Sequence, residues 1–470
     1  MFDSSSARIE RELQRWVAAA TPGERLPSTR QLTARYGASP VTVQSALRSL
    51  AARGLIETRP GVGAFVSAVR AVGPRDYSWQ TGVLRSGAAA AAQTPTALRS
   101  ARSGAIALHS GYPDRELLPE RLIRTALTRA ARGDDAALGR PEPEGMASLR
   151  AWFAAELALQ TPADLTAPTM RDVLVLPGSQ LGLGALFRSI AGPGGTLLIE
   201  SPTYWGAIIA ARQVGVTLVP VPAGPAGPDV DALERAFLDT GARAFYAQPN
   251  YANPTGAQWS PSTGSQVLEI VRRHRAFLIE DDWARDFGIG TDATALAARD
   301  DSGHVVYLRS LTKSISPGIR VAAVIARGPL HTRLLAELQA QSMYVSGLLQ
   351  TAALDIVTQP GWQTHRRALR KMLRARRDVL VDAISTHVPE ATIEEVPQGG
   401  LNLWVRLPDA VDLERLIKDT ESRGLVIAGG DQWFPAEPTG RYLRLNFAGP
   451  DPAAYGDAAV ILGESLAAQH

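Results

Sequence analysis

Two residue types are scarce in this chain of 470 residues: cysteine is absent and lysine occurs only three times. The absence of cysteine excludes disulfides, iron–sulfur clusters, thiolate nucleophiles and cysteine-ligated zinc. Seven scattered histidines argue against a histidine-based metal site as well. Arginine carries nearly all of the positive charge, so chemistry that needs a primary amine must use Lys313, Lys371 or Lys418.

Long apolar runs are also missing. No stretch of about 18 consecutive apolar residues occurs, as a membrane-spanning helix would require. The start of the chain, Met1-Phe-Asp, lacks the basic and apolar regions of a signal peptide. These absences predict a cytoplasmic protein without membrane contact, and the length predicts two to four domains at roughly 100–200 residues each.

The positive charge is concentrated at the N-terminus. Residues 1–70 contain ten arginines against five acidic residues, a local charge of +5, which leaves −2 for the remaining 400 residues of a chain whose net charge is +3. A basic segment of this kind predicts a polyanionic partner, and we therefore expect the N-terminal region to bind nucleic acid.

The first 66 residues show the pattern of a winged helix-turn-helix. Apolar spacing predicts a helix from Ser5 to Ala20, and Ser28 is a candidate N-cap for a second helix. Ser39 and Pro40 begin a third helix, and two short strands then surround a Pro-Gly turn. The last helix of such a module suits the DNA major groove, although a small helical module used only for protein contacts is the alternative.

This segment resembles the GntR family of DNA-binding domains. The matching residues are Pro22-Gly-Glu-Arg25-Leu-Pro-Ser-Thr-Arg30-Gln-Leu, Val41-Thr-Val with Ala46-Leu-x-x-Leu50, Gly54-Leu-Ile and Arg59-Pro-Gly-Val-Gly63. The resemblance implies a double-stranded DNA operator as partner. It places four residues near bases or phosphates, Arg30, Ser39, Thr42 and Gln44. It places two arginines, Arg25 and Arg59, on the DNA backbone. Pro40 and Gln44 depart from the commonest pattern, which often has arginines there.

Three regions follow one another along the chain. Residues 1–69 form the winged helix-turn-helix, residues 70–104 are predicted to be a linker, and residues 105–470 form a large α/β domain. From residue 106 onward, β-branched runs alternate with amphipathic helices, which predicts a mostly parallel sheet covered on both faces. Residues 365–470 mix a basic helix with two strands and are predicted to be a smaller α+β lobe.

The segment around Lys313 carries the most chemical information. Lys313 follows a predicted strand, hydroxyls at Ser310 and Thr312 precede it, and Arg320 lies seven residues on. A lysine amine forms an imine with an aldehyde, and an arginine offers a fork for a phosphate. This pattern suits a site that binds a phosphorylated carbonyl compound, but a lysine taken alone is more often a solvated side chain.

Further polar residues follow other predicted strands. Asp281 stands at the carboxyl end of a buried strand, where ligands bind in parallel sheets. Gly178-Ser179-Gln180 opens a helix whose free N–H groups suit an anion. Taken singly, Asp281 is equally compatible with a helix N-cap; the order and spacing of all these residues favour a cofactor site.

Together they resemble the fold-type I, pyridoxal-phosphate-dependent aminotransferases over about residues 105–465. The resemblance implies that Lys313 forms the internal aldimine with pyridoxal 5'-phosphate and that Asp281 pairs with the pyridine nitrogen. It further implies roles for residues at the ring, the phosphate and the substrate carboxylate: Asn253 on the ring hydroxyl, Tyr204 stacked on the ring, Ser179, Gln180, Ser310, Thr312 and Arg320 on the phosphate, and Arg444 on the carboxylate.

Two positions depart from the aminotransferase pattern. Trp283 stands where a tyrosine usually lies near the ring hydroxyl, and Leu138 stands where a tyrosine usually crosses a dimer interface to the phosphate. Lys313, Asp281 and Arg444 are retained. We interpret this as a site that binds cofactor without being optimised for fast transamination.

The fusion of both parts resembles the MocR-type, GabR-like branch of GntR regulators. That resemblance implies a homodimeric transcriptional regulator in which pyridoxal phosphate at Lys313, with an amino compound as effector, controls operator binding. Two alternatives remain: a metabolic aminotransferase with a vestigial or autoregulatory N-terminal domain, and a regulator that senses pyridoxal phosphate itself.

Overall fold

The computed structural model describes residues 5–67, 79, 95–102, 104–449 and 451–469. The chain divides into two compact units, Met1–Ala92 and Gln93–His470. Within the described ranges, no helix is long and apolar enough to cross a membrane.

The N-terminal unit contains the helices and the hairpin that the sequence predicts. They are α1 (Ser5–Ala19), α2 (Thr29–Tyr36), α3 (Pro40–Ala52), β1 (Ile56–Arg59) and β2 (Gly63–Val66). Ser28 caps α2 in a capping box with Gln31, and Gly37 ends α2 in the left-handed conformation, with φ 58°, that favours glycine. The predicted winged helix-turn-helix is confirmed.

A small core holds this unit together. Each element contributes apolar side chains that are almost completely buried, among them Leu13, Leu32, Val43, Leu50 and Ile56. Because the buried positions of α3 lie on one face, its opposite face is left to solvent.

An eight-stranded sheet forms the centre of the second unit, in the order β4-β11-β10-β9-β8-β5-β6-β7. Strands β10, β9, β8, β5 and β6 pair in parallel, whereas β11 runs antiparallel to both of its neighbours. The strands of this unit are β3 (Ile106–Ala107), β4 (Val173–Leu176), β5 (Thr196–Ser201), β6 (Thr217–Gly224), β7 (Gly227–Pro228), β8 (Ala244–Ala247), β9 (Phe277–Asp282), β10 (Val305–Ser310), β11 (Ala322–Ile325), β12 (Thr392–Ile393), β13 (Asn402–Leu407), β14 (Leu425–Val426), β15 (Ala428–Gly429) and β16 (Arg441–Asn446).

Helices cover both faces of the central sheet, as the alternating sequence pattern predicts. Strands β4, β8 and β10 are buried at every position, which is typical of a sheet with two covered faces. The helices are α4 (Glu120–Ala130), α5 (Asp134–Leu138), α6 (Ala147–Ala158), α7 (Ser179–Ile190), α8 (Trp205–Val214), α9 (Val230–Thr240), α10 (Pro261–Arg273), α11 (Pro329–Ser342), α12 (Gly347–Thr358), α13 (Pro360–His387), α14 (Leu413–Ser422) and α15 (Tyr455–Ala467).

The smaller lobe is built on a four-stranded antiparallel sheet, β12-β13-β16-β15. A segment that precedes the central sheet in the sequence also belongs to this lobe. Strand β3 pairs in parallel with β14, and Leu108 is buried in the core of the lobe. Most of the predicted linker, residues 70–104, lies outside the described residues. Within it, Ala97 is buried and Arg99 forms a 2.8 Å ion pair with Glu421, so this end of the segment packs on the second unit. The domain boundaries themselves stay a prediction.

Candidate cofactor and DNA-binding sites

The predicted cofactor residues come together at one edge of the central sheet. Parallel strands bring their carboxyl ends to the same side, so the loops after β4, β5, β8 and β10 and the end of β9 meet there. These ends supply Ser179, Tyr204, Asn253, Asp281 and Lys313.

Lys313 lies at the centre of this group. Its Nζ atom is 4.0 Å from the centre of the Trp283 ring and 5.8 Å from that of Tyr204. Burial and the positive charge of Arg444 lower the pKa of the Lys313 amine to about 7, and the nearby Asp281 carboxylate opposes that shift. A substantial fraction of the amine is therefore neutral, and nucleophilic, at neutral pH.

Asp281 has one satisfied oxygen and one free oxygen. Its Oδ2 accepts hydrogen bonds from the Tyr246 hydroxyl at 2.7 Å and from Gln248 Nε2 at 2.8 Å. Its Oδ1 is buried without a partner. Burial raises the pKa of the Asp281 carboxyl, while those two donors and Lys313 oppose the rise. A buried oxygen of this kind requires a donor from a ligand, and the ring nitrogen of a protonated pyridine fits that need.

An anion cradle lies at the start of α7. Gly178 has φ 92°, and a Cβ atom there would overlap the Arg320 guanidinium, so glycine lets that cation approach the helix N-terminus. No side chain caps α7, which leaves its first N–H groups free. Thr312 adds a buried hydroxyl without a partner. This combination suits a phosphate group.

The other predicted phosphate ligands are less directly placed. The Ser310 Oγ accepts a 3.3 Å hydrogen bond from the Thr312 backbone N–H. The Gln180 side chain donates to the Gly206 carbonyl at 2.8 Å and accepts from the Tyr204 hydroxyl at 3.1 Å. Gln180 thus positions Tyr204 with its side chain, and only its backbone N–H remains for an anion. Ser179 is the first residue of α7 and is partly buried.

Arg444 is fully buried and has no acidic partner among the described residues. Its Nη2 donates to the backbone carbonyls of His109 at 2.6 Å and Ser110 at 3.0 Å, and its Nη1 to Asn253 Oδ1 at 3.5 Å. Its Nε is buried without a partner. Burial lowers the pKa of Arg444 to about 9. An uncompensated buried guanidinium is costly, and a ligand carboxylate would remove that cost.

The two departures from the aminotransferase pattern differ in environment. Trp283 is buried and its indole N–H has no partner, so a donor is available beside Lys313. Leu138 ends α5 and is 82% exposed. Asn253 accepts a further 3.2 Å hydrogen bond from the Trp433 indole, whose ring also lies 4.8 Å from the Arg444 guanidinium carbon.

The structure adds site residues that sequence reasoning missed. Tyr246 and Gln248 hold Asp281, while Trp433 and the carbonyls of His109 and Ser110 hold Arg444. Tyr246 could have been noticed from the sequence, because it places a hydroxyl group within the otherwise apolar strand β8. Trp433 carries no comparable signal.

The predicted DNA-contacting residues fall into three pairs. Arg30 and Gln44 are exposed. The Ser39 hydroxyl, in contrast, accepts from the Thr42 N–H at 3.2 Å and lies 2.8 Å from the Thr42 hydroxyl, so this pair caps α3. Two further arginines shape the wing: Arg25 donates to the Val62 carbonyl at 2.5 Å, and Arg59 lies 4.7 Å from the Phe65 ring centre.

No cluster of histidine, aspartate and glutamate side chains suited to a metal ion occurs in the part of the chain that the structure describes.

Comparisons with known proteins separate the same two parts. The family described as "Aminotransferase class I and II" matches residues 108–461, and "Bacterial regulatory proteins, gntR family" matches residues 5–66. The 2-aminoadipate transaminase of Thermus thermophilus is 28% identical over 370 residues, covering 78% of this chain and 91% of that protein. The probable rhizopine catabolism regulatory protein MocR of Rhizobium meliloti is 27% identical over 440 residues, covering 91% and 86%.

A solved structure agrees with the fold. The α-aminoadipate aminotransferase LysN of Thermus thermophilus, complexed with N-(5'-phosphopyridoxyl)-L-leucine, superposes with a TM-score of 0.73 at 28% identity. The match covers 80% of this chain and 95% of that one. The predicted fold, a winged helix-turn-helix joined to a fold-type I aminotransferase domain, is confirmed.

Proposed function

The chain belongs to the class I and II aminotransferase family and, with its gntR-family domain, to the MocR-type regulators. On this premise we propose that it binds a small amino compound at its cofactor site and that this binding controls its affinity for operator DNA. One observation carries the proposal. The same site contains Lys313 and a buried Arg444 without an acidic partner, in a chain that also has a DNA-binding module.

The residues at the sheet edge fit pyridoxal 5'-phosphate. Arg320, the start of α7 and the Thr312 hydroxyl would receive the phosphate, and the free Oδ1 of Asp281 would accept a hydrogen bond from the protonated ring nitrogen. Lys313 would hold the cofactor through its amine. When bound, the protonated cofactor ring supplies an electron sink and an aldehyde carbon that amines attack. We assign Asn253 and the Trp283 indole to the ring hydroxyl and Tyr204 to the ring face.

The effector is an amino compound that also carries a carboxylate. Its amine would compete with Lys313 for the cofactor aldehyde, and its carboxylate would accept hydrogen bonds from Arg444, whose Nε has no partner. Burial of the site makes both interactions strong, because few water molecules compete there.

Control of DNA binding requires that the effector favour one arrangement of the protein over another. A tenfold difference in effector affinity between two arrangements contributes about 1.4 kcal/mol. We further propose a homodimer that binds two DNA half-sites, because the sites of fold-type I aminotransferases, which this chain resembles, are commonly completed across a two-fold dimer.

A metabolic aminotransferase is the second candidate. The retained Lys313, Asp281 and Arg444, and the 28% identity to a transaminase, favour it. The Trp283 and Leu138 departures favour a sensor, because they change groups that surround the cofactor in the aminotransferase pattern.

One experiment separates the two candidates. Full-length protein loaded with pyridoxal phosphate is given amino acids and a keto-acid acceptor, and turnover is measured beside the affinity for duplexes selected from a random library. A sensor shows an effector-dependent shift in DNA affinity with few turnovers. Rapid multiple turnovers without any sequence-specific DNA complex would refute the regulator.

A further inference from the structure

Helix α3 carries an apolar side chain that its own core does not use. Val41 is 70% exposed, whereas Val43, Ala46, Leu47 and Leu50 of the same helix are buried. Single exposed apolar residues are common on protein surfaces, so exposure alone assigns no role. The place of Val41 on the helix supplies the argument.

Val41 is the second residue of α3 and lies in its first turn. The Ser39 side chain and Pro40 fix this end of the helix, because Ser39 accepts from the Thr42 N–H and proline presets the backbone. Gln44, three residues on, is exposed on the same face. The N-terminal residues of a recognition helix are those that reach base edges in the major groove.

The chemistry of valine restricts what it can recognise there. Its side chain has no hydrogen-bond donor or acceptor, so it cannot read the polar groups of the bases. Among the four bases, only thymine presents an apolar group in the major groove, its C5-methyl. A β-branched side chain in a helix has one strongly preferred rotamer, so little conformational freedom is lost in the contact.

We propose that Val41 recognises the C5-methyl group of a thymine in each operator half-site. The adjacent Gln44 amide matches adenine, so the two side chains together suit a segment of A·T pairs. This inference rests on the proposed function, because it requires that α3 enter the major groove.

Deoxyuridine provides the test, since it keeps every hydrogen-bonding group of thymine and lacks only the methyl. Full-length protein first selects its preferred duplex from a random library. Each thymine of that duplex is then replaced singly by deoxyuridine, and the affinity is measured for the natural protein, Val41→Ala and Val62→Ala. Val62, on the hairpin turn and 51% exposed, is the matched control.

We expect one thymine in each half-site at which loss of the methyl weakens binding about fourfold, the effect of one buried methyl group. Val41→Ala should reduce that effect to less than about twofold, whereas Val62→Ala should retain it. Two results would overturn the inference but not the proposal that the protein binds DNA. One is an affinity that no deoxyuridine substitution weakens, and the other is a loss of affinity on deoxyuridine substitution that is as large for Val41→Ala as for the natural protein. Failure to select any duplex would overturn the inference together with the proposed function.

Discussion

The two units present their recognition groups in opposite environments. In the N-terminal unit, Arg30 and Gln44 are exposed, and neither side chain belongs to the small hydrophobic core of the unit. In the second unit, Arg444 is fully buried, Asp281 is 2% exposed, and atoms of both lack partners.

This difference determines how much a single residue contributes to ligand affinity in each unit. Exposed charges are screened by salt and each contributes little, so DNA affinity is the sum of many small contacts. Buried groups without partners are costly, so a ligand that satisfies them gains much from each one. Substitutions should therefore have large effects in the second unit and small, salt-dependent effects in the first.

The largest effect is expected for Lys313→Ala. Removal of this amine should abolish the visible absorbance of lysine-bound pyridoxal phosphate, because no other lysine lies at the site. Lys371→Ala and Lys418→Ala are the matched controls, since they replace the other two lysines of the chain and should keep the absorbance. An unchanged spectrum in Lys313→Ala would show that the site has been misassigned.

The next largest effect is expected for Arg444→Gln. Loss of the buried guanidinium should weaken binding of amino acids about 30-fold or more, about 2 kcal/mol, because a carboxylate loses its charged partner. Amines without a carboxylate should bind as before, and Arg441→Gln, an exposed change on the same strand, should have no effect. Ligand titrations followed by absorbance measure all three. Equal losses for amines and amino acids would argue against a carboxylate role.

A pH dependence should follow from the lowered pKa of Lys313. The neutral amine is the nucleophile, so the rate of cofactor attachment should rise about tenfold between pH 6 and pH 8 and then level off, as a pKa of about 7 requires. Arg444→Gln should move the midpoint upward, because it removes a positive neighbour. Stopped-flow absorbance provides the rates, and a rate that still rises steeply above pH 9 would contradict an amine with a lowered pKa.

The smallest effect of the four is expected for Arg30→Ala. Loss of one exposed phosphate contact should weaken DNA binding a few-fold and reduce the slope of log affinity against log salt by about 0.9. Arg35→Ala, in the last turn of the same helix and exposed like Arg30, is the control, because Arg35 is not among the predicted DNA-contacting residues. Affinities at four salt concentrations suffice. An unchanged slope would remove Arg30 from the interface.

Local motifs were predictable from sequence because their partners are near in the chain. Ser28 and Ser39 cap their helices as predicted, since capping depends on residues three positions on. Asp281 and Lys313 lie at the ends of buried parallel strands, a location that hydrophobic patterning reveals.

Contacts between distant segments were not predictable in the same way. Tyr246 reaches Asp281 because β8 pairs with β9 in a particular register, which a single sequence does not reveal. The carbonyls of His109 and Ser110 reach Arg444 from more than 330 residues away. The Gln180 amide, expected at the phosphate, instead bonds Tyr204 and Gly206.

The measurement that tests the central claim most directly is the affinity of full-length protein for its selected duplex, with pyridoxal phosphate present, before and after addition of an amino-acid effector. Our account predicts a shift of about tenfold in Kd for the natural protein and none for Lys313→Ala. The same shift in Lys313→Ala, or no shift in the natural protein with any amino acid that replaces Lys313 on the cofactor, would contradict it.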